Sequence, residues 1–169
     1  MNNTAVEIER KYVILMPDFE KLAHYDGYEC SEITQTYLSS YENVTRRVRK
    51  RVFADRTVYT ETSKRRIDRL SAFEDEREIG EEEYEACLSE MAPGSTPVRK
   101  HRHVIYYSGA CFEIDVYAQW QRSCIMETEL SHRDETVKMP PDIRVIAEVT
   151  GDKKYSNAAM SRSFPKELV

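Results

Sequence analysis

The chain of 169 residues is 40% apolar, 33% charged and 10% aromatic, enough for one domain with a sizeable core and too little for two independent ones. Five glycines, six prolines and no low-complexity tract exclude a disordered or fibrous chain, and the longest apolar run, 12–16, is far short of a membrane span. A net charge of −5 sets the molecule as a whole against nucleic acid and anionic membranes, so any anion it binds must be caught locally.

Period-two alternation dominates, with Val, Ile, Tyr and Thr recurring between short polar breaks. In chain order the spacing predicts strands over 5–16, 31–41, 44–53, 57–64, 72–79, 97–107, 110–117 and 124–131. Helices are predicted over 17–24, with Pro17 in the first turn, and over 81–91, where Tyr84, Cys87, Leu88 and Met91 repeat at helical spacing. A third helical region is predicted from Asp142 onward. Asp55-Arg56 and Ser108-Gly109 are short enough for antiparallel hairpins, and 92–97 reads as a loop within one domain spanning 1–169. Cys30, Cys87, Cys111 and Cys124 are scattered, with no C-x-x-C pair, and read as reduced thiols. An amino terminus without a basic-then-apolar layout predicts a cytoplasmic protein.

Side chains two apart on a strand share a face, and the charges fall on one face of nearly every strand. They are Glu7, Glu9 and Lys11 on the first, Arg47, Arg49 and Arg51 on the third, and Lys64, beside the polar Thr60 and Thr62, on the fourth. Glu74, Glu76 and Glu78 follow on the fifth, Lys100 and Arg102 on the sixth, Glu113 and Asp115 on the seventh, Glu127 and Glu129 on the eighth. A single such strand is ordinarily half-buried with its polar side in water. Seven of them, with only thin apolar support at positions such as Val48 and Ile114, predict a sheet closed around its charged face. Enclosed charges cost several kcal/mol each unless they pair or bind. Lysines and arginines there suit a multiply anionic ligand, and glutamates beside them make sense only if hard divalent cations lie between carboxylate and phosphate. The pattern therefore points to a metal–polyphosphate site.

Glu7-Ile8-Glu9-Arg10-Lys11 resembles the E-x-E-x-K signature of the CYTH superfamily, the triphosphate tunnel metalloenzymes. Further segments match in order: Gln35-Thr36-Tyr37-Leu38, Arg47-Val48-Arg49, Thr62-Ser63-Lys64, Glu74 with Glu76 and Ile79, Lys100-His101-Arg102, Phe112 to Asp115 and Glu127-Thr128-Glu129. The ending from Glu148 to Asn157 resembles that of small bacterial members. Two positions depart from the family pattern: Ala72 stands where an arginine is usual, with Arg69 or Arg66 as substitutes, and Glu61 stands where an apolar residue is usual.

The resemblance implies an α+β, β-rich fold: an eight-stranded antiparallel β-barrel, or tunnel, with a few peripheral helices and a C-terminal helical plug. It further implies that Lys11, Arg47, Arg49, Lys64, Lys100 and Arg102 bind the triphosphate. Glu7, Glu9, Glu127 and Glu129 would hold a divalent ion, Mg2+ or Mn2+, while Glu74, Glu76, Glu113 and Asp115 would hold a second ion or position water. Glu7, Glu9, Lys11 and Glu129 are the residues expected to carry catalysis. The implied reaction is hydrolysis of inorganic triphosphate to diphosphate and phosphate. A class IV adenylate cyclase, a thiamine, nucleoside or RNA triphosphatase and a non-catalytic polyphosphate-binding module remain as alternatives, and a homodimer is left open. Thiamine would call for an aromatic clamp, for which Trp120 is the only tryptophan. His101 and His103 alternate with Lys100 and Arg102, so they read as outward surface residues rather than a zinc pair, with no third ligand near in sequence. Most tyrosines are expected on the outer wall.

Overall fold

A computed structural model describes residues 3–169, with side chains from residue 5 onward. The alternating segments form β1 (Asn3–Leu15), β2 (Asp26–Leu38), β3 (Val44–Val52), β4 (Thr57–Arg66), β5 (Ser71–Ile79), β6 (Val98–Tyr107), β7 (Ala110–Val116) and β8 (Ser123–Glu129). Antiparallel pairing runs β5-β4-β3-β2-β6-β7-β8-β1, and β1 closes the ring by pairing its first half with β5. A ninth strand, β9 (Val145–Glu148), takes over the same edge of β1 at Tyr12 to Ile14, where β5 has left it.

Two hairpins form where the short connections predict them. Phe53 N donates to Arg56 O at 2.8 Å between β3 and β4. Between β6 and β7, Ser108 and Gly109 both have positive φ, 50° and 83°, as a two-residue turn matching strand twist requires. Helix α1 (Phe19–Leu22) starts one residue after Pro17-Asp18, where the Asp18 carboxylate caps the amides of Glu20 and Lys21. Helix α2 (Glu81–Cys87) runs on into a 3₁₀ turn, Leu88–Glu90, and α3 (Asn157–Met160) is a single turn. No helix of the described residues is long and apolar enough to cross a membrane.

Three apolar clusters hold the barrel. Outside, Tyr12, Ile14, Ile105, Phe112, Ile114 and Met126 pack beneath Leu22 of α1 and Ile143. Also outside, Leu38, Val48 and Ile79 lie under Tyr84 and Cys87 of α2. Val48 and Ile114, expected to have thin support, are completely buried there, each contributing roughly 1.5–3 kcal/mol of transfer free energy. The third cluster lies on the inward parity: Val13 follows Lys11, Ile125 precedes Glu127, Val98 precedes Lys100, and with Tyr37 and Tyr117 they meet Trp120, Tyr155 and Met160. The inner face is thus charged along one stretch and apolar along the next.

Two segments differ from the sequence expectation. Strand β2 begins at Asp26 rather than 31, because Gly27 (φ 62°) sits in an irregular register where a Cβ would lie 2.6 Å from the Tyr106 ring. The region from Asp142 onward is not a helical plug throughout. It opens with β9, continues through a 3₁₀ turn, Lys153–Tyr155, and ends in α3, so the plug is a composite. Tyrosines also depart from the outer wall: Tyr37, Tyr117 and Tyr155 belong to the inner cluster.

Candidate functional site

The charged stretch of the barrel encloses a cavity of about 890 Å³. Its walls have opposite character. One side carries Arg47, Arg49 and Arg51 of β3, with Arg102 of β6; the other carries Glu7 and Glu9 of β1, Glu74 and Glu76 of β5, and Glu127 and Glu129 of β8. Lys11 and Lys64 sit among the acids, and Glu113 of β7 also faces in. The register dictates this. Glu9 lies directly opposite Glu129, Lys11 opposite Glu127, Lys64 opposite Glu74, and Thr62 opposite Glu76.

Most acids are tied to cations. Lys11 Nζ is 2.7 Å from Glu127, and Arg102 Nη2 is 3.5 Å from the same carboxylate. Lys64 Nζ lies 3.3 Å from Glu7, 3.1 Å from Glu74 and 3.9 Å from Glu9, while Arg47 reaches Glu74 at 3.3 Å. Beneath them, Lys100 Nζ and the Arg102 guanidinium clamp Asp115 at 2.6 Å and 2.7 Å, and Arg102 also holds Glu113. The Lys100 side chain is 0% exposed and does not line the cavity, so it supports the site through Asp115 rather than reaching into it.

The electrostatics divide the groups further. Burial would raise the Glu127 carboxyl, but Lys11, Arg102 and Lys100 hold it well below the usual range. Lys64 is raised, as Glu9, Glu74 and Glu7 outweigh the effect of burial. Arg49 behaves differently: burial, with Arg47 and Arg102 nearby, pulls it down to about 10. Its contact is with Gln35 Oε1, at 3.4 Å, and the Nε atoms of both Arg49 and Arg47 are buried without a hydrogen-bond partner. No carboxylate of the described residues pairs with Arg49, which leaves a cation that an anion would satisfy.

Glu7 is the counterpart on the acid wall. Burial, and then the neighbouring Glu74, push its carboxyl up to about 7. The folded chain therefore favours its neutral form, and stability falls as pH rises from about 4.5 towards 7. Glu7→Gln is expected to raise the stability of the metal-free protein at pH 8 by roughly 1–2 kcal/mol, discounted because water screens a side chain 30% exposed. The gain should vanish below about pH 4.5 in thermal melts across pH; a gain independent of pH would contradict this origin.

Among the described residues, no three His, Cys, Asp or Glu side chains already stand close enough to hold a metal ion. The donor chemistry nonetheless suits a hard dication. Glu9 and Glu129 form a directly opposed like-charge pair, and Glu7 is crowded by Glu74, arrangements that a cation between carboxylates relieves. Glu127 fits less well, since Lys11 and Arg102 already engage it.

Several side chains took roles that the alternation alone did not reveal. Gln35, fully buried, donates to Tyr37 Oη at 3.0 Å and accepts from Arg49, linking the two. Arg51 Nε donates to Ser31 Oγ at 2.9 Å. Inward parity was the available signal for Gln35 and Ser31, but a neutral residue among charges does not stand out. Arg66 and Arg69 do line the cavity, near Ala72's strand end, and Arg69 Nε donates to Thr150 O at 2.7 Å. Gly151 (φ 74°) allows that approach, as a Cβ there would lie 2.1 Å from Arg69 Cγ. Glu61 points outward into an ion network with Arg46, at 2.8 Å, and Arg77, which explains its place in a strand. Trp120 is 3% exposed, donates to Pro165 O and packs on Tyr117, Tyr155 and Phe164, so it is no clamp for a ligand.

No family model and no curated protein matches the chain. Solved structures do. The inorganic triphosphatase NE1496 aligns over 95% of this chain and 97% of its own, with 27% identity and a TM-score of 0.59. PH1819 from Pyrococcus horikoshii aligns over 76% and 80%, with 22% identity and a TM-score of 0.57. HpAC1 from Hippeastrum, described as an adenylyl cyclase candidate with a dominant triphosphatase activity, aligns over 75% and 80%, with 16% identity and a TM-score of 0.52.

Proposed function

We propose that this chain, a CYTH-superfamily protein by fold, hydrolyses inorganic triphosphate to diphosphate and phosphate with the help of a divalent metal ion. The observation that carries the reading is the pair of opposed walls: arginines with unpartnered Nε atoms face carboxylates crowded against one another across one cavity. Triphosphatases among the structural neighbours support the same reaction class.

In this reading Arg47 and Arg49 donate to phosphate oxygens, for which the guanidinium fork is suited, and Lys11 and Lys64 add positive charge from among the acids. Lys100 acts from behind, fixing Asp115, which in turn orients Arg102. Glu7, Glu9 and Glu129 would hold Mg2+ or Mn2+, with Glu127 contributing once Lys11 turns to phosphate. Such an ion supplies charge neutralisation and Lewis acidity at phosphate oxygens. Thr62 anchors one oxygen of Glu76 at 2.8 Å, and the other oxygen would take a proton from water attacking the terminal phosphorus in line, as the bridging P–O bond breaks and diphosphate leaves with its charge held by the wall cations. Among the described residues Tyr37 is the one aromatic side chain lining the cavity, against many charged groups, which favours a charged ligand over one that must stack a nucleobase or thiamine. An unadorned triphosphate fits best.

The test is phosphate release from tripolyphosphate, ATP and thiamine triphosphate, with Mg2+, Mn2+ or chelator, for wild type and Glu9→Gln. Metal-dependent release from tripolyphosphate well above the other two, reduced about 100-fold or more by Glu9→Gln, is the expected result. Binding of tripolyphosphate without turnover of any substrate would leave a binding module in place of an enzyme.

A further inference from the structure

His101 and His103 do point outward, but they do not stand alone there. The antiparallel register of β2 and β6 sets Cys30 opposite His103 and Glu32 opposite His101. Ser31 and Gln35 on one strand, and Lys100 and Arg102 on the other, occupy the inward parity, so Cys30, Glu32, His101 and His103 share the outer face. Residue types that bind metals thus form a two-by-two square that no linear spacing reveals.

Half of the square is already in place. Cys30 Sγ lies 4.0 Å from His103 Nε2. In a tetrahedral zinc site, with Zn–S near 2.3 Å and Zn–N near 2.0 Å, those two atoms stand about 3.5 Å apart, so about half an ångström separates the pair from a bite. The imidazole is held in position: Nδ1 is 2.9 Å from Tyr28 Oη, and one ring face stacks on Phe19 of α1 with centroids 4.4 Å apart. Stacking covers the face of the ring and leaves its Nε2 edge to Cys30. When Nδ1–H donates to the Tyr28 oxygen, Nε2 carries the lone pair, the arrangement that orients metal-bound histidines.

We propose that this outer-wall square is a second metal site, for zinc or a comparably thiophilic divalent ion, with Cys30 and His103 as fixed ligands. His101 and Glu32, both exposed, complete it by side-chain rotation, as no three such groups of the described residues are at binding distance beforehand. Sulfur and nitrogen donors separate this site from the all-oxygen cavity, where Mg2+ or Mn2+ would be preferred. It also joins α1, β2 and β6 on the side of the wall away from the cavity, and it does not depend on the triphosphatase reading.

Zinc is titrated into the full chain in excess Mg2+ against a chromogenic chelator, and Co2+ is used as a spectroscopic probe. The expected result is one zinc equivalent, weakened at least tenfold by Cys30→Ser and by His103→Asn but unchanged by Glu9→Gln. Co2+ should give a near-ultraviolet thiolate charge-transfer band that Cys30→Ser abolishes. Circular dichroism melts confirm that each variant is folded, and His101→Asn replaces His103→Asn if the latter is not. No zinc retained in the presence of Mg2+, or equal zinc affinity in Cys30→Ser without a thiolate band in the wild type, overturns the proposal.

Discussion

Arg49→Met is expected to lower tripolyphosphate turnover by two to three orders of magnitude while leaving the protein more stable than wild type. The two effects have one cause. Arg49 is held in the barrel without a carboxylate partner, and burial with Arg47 and Arg102 depresses it from 12.5 to about 10, so its charge opposes folding. Methionine keeps much of the length, removes the charge and ends the repulsion between neighbouring guanidiniums. Allowing for water in the cavity, the gain is roughly 1–2 kcal/mol, or a Tm higher by about 3–6 °C for a chain of this size. The loss in rate follows because the same unpaired donor is what stabilises charge on the transferring phosphoryl group. Thermal melts and initial rates on one preparation decide it. A variant that loses stability along with activity would mean that Arg49 is a structural residue, and the anion site would have to be sought elsewhere on the wall.

Strand parity made the barrel and the inward charges legible, because a closed sheet requires the same face of every strand to point in. Arg47 and Arg49, or Glu127 and Glu129, needed only spacing two. What parity could not supply was pairing across strands. Lys100 reads like any inward cation, yet its depth beside Asp115 takes it out of the cavity, and depth is a property of register. Cys30 and His103 are 73 residues apart and meet only through β2 and β6. The ninth strand escaped for a related reason: Val145–Glu148 is four residues long, too short for a period, and is defined by the edge that β5 leaves free on β1. Similarly, the sequence expectation starts the second strand at 31, whereas β2 begins at Asp26 and carries an irregular register past Tyr106 at Gly27.

Asp115→Asn is expected to destabilise the chain by about 3–5 kcal/mol, the largest single effect foreseen outside the hydrophobic clusters. Asp115 is 1% exposed and receives three bonds, one from Lys100 and two from Arg102, all between 2.6 and 2.7 Å. Burial alone would raise its pKa, but Arg102 and Lys100 bring it down to about 2, from 3.8. A depressed carboxylate contributes stability above its unfolded pKa and loses it as pH falls towards the folded value, so the wild type should lose about 2 kcal/mol between pH 4 and 2. In Asp115→Asn that acid step is absent, and the penalty is present at neutral pH instead, because Arg102 cannot shed its proton and retains only Glu113 and Glu127. Adding Lys100→Met to Asp115→Asn should recover part of the loss, since burial already lowers Lys100 to about 7 and, without Asp115, its amine is left buried without its carboxylate partner. Urea unfolding of the four proteins in this cycle, at pH 7 and pH 3, separates the contributions. If Asp115→Asn unfolded with the wild-type midpoint at pH 7, the clamp would contribute nothing to the fold, and the position of Arg102 on the cavity wall would have to be set by its strand alone.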